Sequence, residues 1–116
     1  MIEQWIREIK TGTNPEELGM ILIHNGIVRA SSKDGRRVKG MRLTYDRERL
    51  KDVLADFEKR DGIADIRVWI NEGNIKTGDD IMYVLVAGCF RTDVLPVFES
   101  LIARIKKKVV NEMEDL

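Results

Sequence analysis

Between positions 29 and 42 stand Arg29, Lys33, Arg36, Arg37, Lys39 and Arg42, opposed only by Asp34. Six cations less one anion leave a net charge of +5 on a segment that reads as strand, loop and strand. Guanidinium and ammonium groups this close together suit a phosphate or carboxylate, and arginine can pair with either in bidentate fashion. A basic hairpin tip can also hold nucleic acid through its phosphates. The plainer alternative is a solvated, charged loop. A second cluster comprises Arg104, Lys106, Lys107 and Lys108. Lys106 lies one helical turn beyond Ile102, so its stem can follow buried surface while its ammonium faces a pocket. Partial desolvation lowers a lysine pKa and frees the amine for covalent or acid–base work. The alternative is an exposed lysine that complements the negative end of a helix dipole. Arg91 sits between a strand and a helix start, which suits an anion site or an ordinary surface residue.

Other chemistries are excluded by what the chain lacks. It has one cysteine, Cys89, and one histidine, His24. Neither a disulfide framework, a Cys-only zinc site nor a two-histidine metal site can be built from them, so no metal is expected. Gly12, Gly19 and Gly26 have the wrong spacing for a phosphate-binding loop or a dinucleotide fold. No Ser/His/Asp grouping stands out. His24 lies in an apolar run and reads as a packed, hydrogen-bonded histidine. Twenty basic and twenty acidic residues cancel, so the global charge does not point to nucleic acid or an anionic membrane. The apolar run Ile81–Ala87 is far short of the ~20 residues a membrane helix needs. Glu3, Arg7 and Glu8 interrupt the first apolar pattern, unlike a signal peptide. With no oxidising signature, a cytoplasmic protein is expected.

The 116 residues are enough for one hydrophobic core, so a single domain over 1–116 is expected. Ile2, Trp5, Ile6 and Ile9 predict a short helix over 2–10. Asn14-Pro15-Glu16-Glu17 is a helix-start signature, but Gly19 leaves room for about one turn. Residues 19–29 predict a strand covered on both faces or buried in an assembly, with a bulge or a close backbone approach at Gly26. Asp34-Gly35 marks a turn, and 38–45 alternate as a second strand able to pair with the first as a hairpin. Asp46 caps a helix over roughly 46–60, which Asp61-Gly62 ends. Residues 63–70 and 80–90 read as strands. Thr92 or Asp93 caps a last helix with Pro96 in its first turn and a stripe of Val94, Phe98, Leu101, Ile102, Ile105 and Val109. The order α, β, β, α, β, β, α gives an α+β fold with helices packed on a mostly antiparallel sheet.

Three segments resemble the large, catalytic subunit of molybdopterin synthase. GMILIHNGIVR (19–29) resembles that family's first core strand with its Gly-x-Val-Arg ending, here Gly26, Val28 and Arg29. GNIKTGDDIMYV (73–84) resembles its Gly-x-Leu-x-x-Gly-Asp run. Residues 85–106 resemble its strand, arginine and helix leading to a site lysine. The likeness spans about residues 18–110. It implies an α/β-hammerhead fold and a central homodimer. Each large subunit would dock a small ubiquitin-like sulfur carrier, making a heterotetramer. The carrier's C-terminal thiocarboxylate would pass sulfur to cyclic pyranopterin monophosphate, and two transfers would form the dithiolene of molybdopterin. Neither a cofactor of the protein's own, nor nucleic acid, nor a membrane is implied.

Residue by residue, Arg29 matches the family's site arginine and Arg91 the arginine of its His-Arg pair. Both would bind substrate oxygens, with Arg36 and Arg37 as further substrate-binding candidates in the basic run. Lys106 matches the first site lysine, a covalent amine or proton donor, and its charge would stabilise the oxyanion formed at the thiocarboxylate carbonyl. The chain departs from the family where Phe90 replaces the paired histidine. Met113 stands where a second lysine follows seven residues after the first, which in a continuous helix is the same face. Val109-Val110-Asn111 replaces an aromatic stretch, and the family's longer C-terminal segment is not matched. Lys107 and Lys108 would point about 100° and 200° away from Lys106 and could not substitute for it. These departures favour the alternative of a catalytically impaired relative that binds the carrier or an anionic ligand without turnover. A third reading, RNA binding through the basic hairpin, asks for interleaved aromatics, and residues 29–42 contain none.

Overall fold

A computed structural model describes residues 1–116. In chain order the elements are α1 (Ile2–Gly12), β1 (Met20–Ile27), β2 (Gly40–Tyr45), α2 (Arg47–Glu58), β3 (Ile63–Ile70), β4 (Gly73–Lys76), β5 (Asp80–Gly88), α3 (Arg91–Arg104) and β6 (Val110–Asp115). A π-helical turn, Ile105–Val109, joins α3 to β6. The strands form two three-stranded antiparallel sheets, β1-β5-β3 and β4-β2-β6. The fold is α+β with antiparallel sheets, as the residue pattern predicts.

The strand covered on both faces is β5. Met82, Val84 and Val86 enter the main core, where they meet Leu43, Phe57, Val94, Leu101 and Ile105. Leu85 and Ala87 point the other way and are sealed by Ile9 of α1, with Trp5, Ile6, Leu18 and Ile21 packed around them. Burial on both faces explains an apolar run without alternation. β1 is instead an edge strand, paired along one side only. Ile23 and Ile27 are 38% and 50% exposed, so this chain alone does not give β1 the two-sided cover its hydrophobicity suggests. Its register slips between Gly26 and Ile27, the bulge expected at Gly26.

The first two strands do not form a hairpin. β1 pairs with β5 and β2 with β4 and β6, so they lie in different sheets. Only the connecting loop closes on itself, through the Ser31–Arg37 bridge and a Val38 N–H to Ala30 C=O bond. Gly35 turns it at φ +86°, a conformation an L side chain resists. The segment after Asn14 forms a turn rather than a helix, with the Asn14 side chain accepting from the Glu16 N–H at 2.9 Å.

α2 follows its sequence signals. The Asp46 side chain accepts from the Arg49 N–H at 3.0 Å, and Val53 and Phe57 are buried. α3 begins earlier than expected. Its N-cap is Phe90, whose carbonyl accepts from the N–H groups of Asp93 and Val94, and no side chain caps it. Pro96 therefore falls in the second turn, where its missing N–H removes a helical bond. β4 and β6 are both strands that the residue pattern leaves unassigned. β6 pairs with β2 from Tyr45↔Val110 to Gly40↔Asp115.

Candidate functional site

A cavity of about 790 Å³ opens where the end of β1, the following loop, the π turn and β6 meet. β1 and its extension bring His24, Gly26 and Arg29 to it, and the loop brings Lys33, Asp34 and Arg36. The π turn adds Lys106, and β6 adds Glu112 and Glu114. Arg29 and Lys106, far apart in sequence, thus line the same cavity.

The cations are not equivalent. Arg36 is held by Asp34, its NH2 lying 2.8 Å from Oδ2, and hydrogen bonds from Arg36 and Ser32 keep the Asp34 carboxyl below the usual carboxylate range. Arg29, Lys33 and Lys106 take part in none of the chain's ion pairs. Their charge remains available to a ligand. Lys106 is exposed to solvent, so this chain does not itself supply the desolvation its helical spacing suggests.

Two expected site residues lie elsewhere. Arg37 pairs with Ser31 at the neck of the loop, is exposed and does not line the cavity. Arg91 opens α3, whereas Lys106 follows its end fifteen residues later, about 22 Å along the axis. One chain therefore separates Arg91 from the cavity.

The expected geometry around Met113 also changes. The helix does not continue past Lys106; the chain turns at Ile105–Val109 and returns as β6. Met113 lies opposite Arg42 in the sheet, 62% exposed, and lines a groove with Lys39 and Asn74 instead of the cavity. Strand alternation turns Glu112 and Glu114 toward the cavity, a period-two signal hidden in a segment that follows helical spacing. Lys107 and Lys108 face a separate groove of about 410 Å³ beside Asp46 and Arg49.

His24 is not the packed, hydrogen-bonded residue its apolar neighbours suggest. It lines the cavity, and its buried Nε2 has no hydrogen-bond partner. Burial, and then the charge of Lys106, push the imidazole below its ordinary value and favour the neutral ring. Gly26 keeps that position open, since a Cβ there would stand 3.3 Å from His24 Nε2. The only sequence signal for this is a polar ring two residues before a glycine in an apolar strand.

Chemically, the cavity can hold an anion between Arg29 and Lys106 and stabilise negative charge developing on it. No Phe, Tyr or Trp side chain lines it, so it offers no run of aromatic platforms for successive bases.

Comparison with known proteins fits this geometry. The family model described as MoaE protein matches residues 2–108. Molybdopterin synthase from Staphylococcus aureus superposes with a TM-score of 0.78 at 20% identity, covering 99% of this chain and 84% of that one. The complex of subunits 1 and 2 of molybdopterin-converting factor from Helicobacter pylori gives 0.76 at 16% identity, over 97% and 74%. The molybdopterin biosynthesis MoaE protein from Burkholderia ambifaria gives 0.74 at 17% identity, over 98% and 82%. No curated protein matches the chain. With nearly its whole length matched by the family model and the fold shared, the chain is a member of the MoaE protein family.

Proposed function

We propose that this chain, acting over residues 1–116 as one domain, is the large subunit of a molybdopterin synthase. Membership of the MoaE family carries molybdenum cofactor biosynthesis with it. On this reading a small ubiquitin-like carrier delivers its C-terminal thiocarboxylate to the cavity, and sulfur passes to cyclic pyranopterin monophosphate. The observation that carries it is the convergence of Arg29 and Lys106 on one cavity, both without ion-pair partners. Arg29 binds substrate oxygens. Lys106 stabilises the oxyanion at the thiocarboxylate carbonyl or supplies the amine or proton for transfer. Arg36 stands at the rim with its charge already engaged by Asp34.

The carrier partnership draws support from the Helicobacter pylori structure, a complex of two different subunits. A homodimer draws support from the unpaired edge of β1 and its exposed Ile23 and Ile27. A second copy would also be the source of Arg91, which one chain holds far from Lys106. Mixing Lys106→Ala with Arg91→Ala should then restore activity that each variant lacks alone. No recovery in demonstrated mixed dimers removes Arg91 from the shared site. The protein acts in the cytoplasm on this reading; no helix is long and apolar enough to cross a membrane.

A second reading is favoured by Met113, which turns away from the cavity and offers no amine. On it, the chain binds the carrier or an anionic ligand without turnover. Lys33, a second amine lining the cavity, argues against that loss. Incubation with thiocarboxylated carrier and cyclic pyranopterin monophosphate separates the two. Dithiolene product supports the synthase, and carrier binding with no product supports the non-catalytic relative.

A further inference from the structure

We propose that His24 is an anion-binding residue of the cavity and takes up a proton when the anion arrives. This rests on the cavity being an anion site. It starts from a nitrogen out of place: His24 Nε2 is buried, has no partner, and belongs to a side chain lining an open cavity. Buried polar atoms in folded proteins are overwhelmingly paired, and exceptions mark a missing partner. Its own surface is closed to solvent, so a ligand in the cavity supplies that partner as the ring turns to present the nitrogen.

The surrounding charges explain why a proton would follow. Burial disfavours imidazolium, and so does the charge of Lys106 of the π turn, which lines the same cavity. Arg29 and Lys33 also line the cavity, and Arg36 is neutralised by Asp34. On β6, Glu112 and Glu114 form the acidic wall, while β5 places only Val84 opposite His24. An anion held by Lys106 and Arg29 offsets the charge of Lys106, the second of the two causes that keep the ring neutral after burial. It also offers oxygens to the protonated ring once that ring has turned toward the cavity. The ring therefore becomes more basic on binding, and by linkage the anion binds more tightly when the ring is protonated.

The chain's only histidine makes this directly observable. The probe is sulfate, which does not titrate in this range, compared with chloride at equal ionic strength. The His24 ring resonances are followed by NMR against pH in the full chain. Sulfate should raise the His24 titration midpoint by about 1–3 on the pH scale. Sulfate should also bind several-fold more tightly at pH 5.5 than at pH 8; a midpoint raised by one on that scale is worth up to a factor of about ten in affinity, reached below both midpoints. His24→Gln should flatten that pH dependence while its spectrum remains that of the folded protein. His24→Asn provides a second neutral replacement if the first fails to fold. Sulfate that perturbs Arg29 and Lys106 but leaves the His24 midpoint unmoved overturns this inference and leaves the anion site standing. No sulfate binding at all overturns both. Neither outcome depends on whether dithiolene is made, so failure of the synthase reading is read separately from product.

Discussion

Two basic regions lie side by side on this molecule, and consecutive lysines belong to different ones. Lys106 enters the larger cavity with Arg29 and Lys33, while Lys107 and Lys108 enter the groove beside Arg49. In the groove Arg49 is committed to the fold, while Lys107 and Lys108 take part in no ion pair. Arg49 donates to the Lys108 carbonyl at 3.3 Å and its Nε lies 3.6 Å from Asp46, the residue that caps α2. In the cavity Arg29, Lys33 and Lys106 have no carboxylate partner, and a buried imidazole nitrogen lacks any partner. A paired cation such as Arg49 stabilises structure; unpaired cations that share a cavity with an orphaned imidazole nitrogen are available to a ligand. The π turn makes the division, since it ends α3 and sends the chain back as β6 directly after Val109.

Substitutions can break or sharpen this contrast. The largest effect is expected from Lys106→Ala, which should lower sulfur transfer about 100-fold or more with the carrier still bound. Activity close to wild type would remove Lys106 from the chemistry. Arg29→Ala should weaken binding of the pterin phosphate by about 2 kcal/mol, roughly thirtyfold in Kd by calorimetry. Arg36→Ala should cost much less, because Asp34 already takes its charge; equal losses would show that the Asp34 pair opens on binding.

A smaller effect is expected in acid. Because the fold holds His24 below its ordinary value, the unfolded chain binds that proton first, and stability falls as pH drops through about 6.5. Denaturation midpoints should show a decline over that window in wild type that is absent in His24→Gln; parallel curves would place the decline on other groups. The smallest effect is expected from Lys107→Ala and Lys108→Ala, with transfer rates within about twofold of wild type, since typical surface substitutions cost little. A loss comparable to that of Lys106→Ala would mean that the two regions act together.

Much of the fold is legible in the residues because local signals agree with the burial that follows. α2 carries an Asp46 cap and an apolar stripe ending in Phe57, and β3 spans the residues expected. Sequence and structure part where a local pattern fits two conformations. The stripe through Val109 keeps helical spacing into the π turn, so the return of the chain as β6 has no local marker. Val110 and Met113 are the only apolar residues in β6, too few to show a strand period, and β4 is only four residues long. The hairpin expected for β1 and β2 fails because pairing is decided by β5, whose buried run takes both β1 and β3. In the site, charge and spacing raise Arg29 and Lys106 as candidates and the family resemblance singles them out. His24 escapes sequence reasoning because an orphaned nitrogen is a property of three-dimensional packing, and Glu112 and Glu114 escape it because their facing depends on β6.

The most direct test of the central claim is a crystal structure of the chain with cyclic pyranopterin monophosphate bound. The phosphate should lie between Arg29 and Lys106, within hydrogen-bond reach of both. A phosphate seated instead in the Lys107–Lys108 groove, with the cavity empty, would contradict the claim.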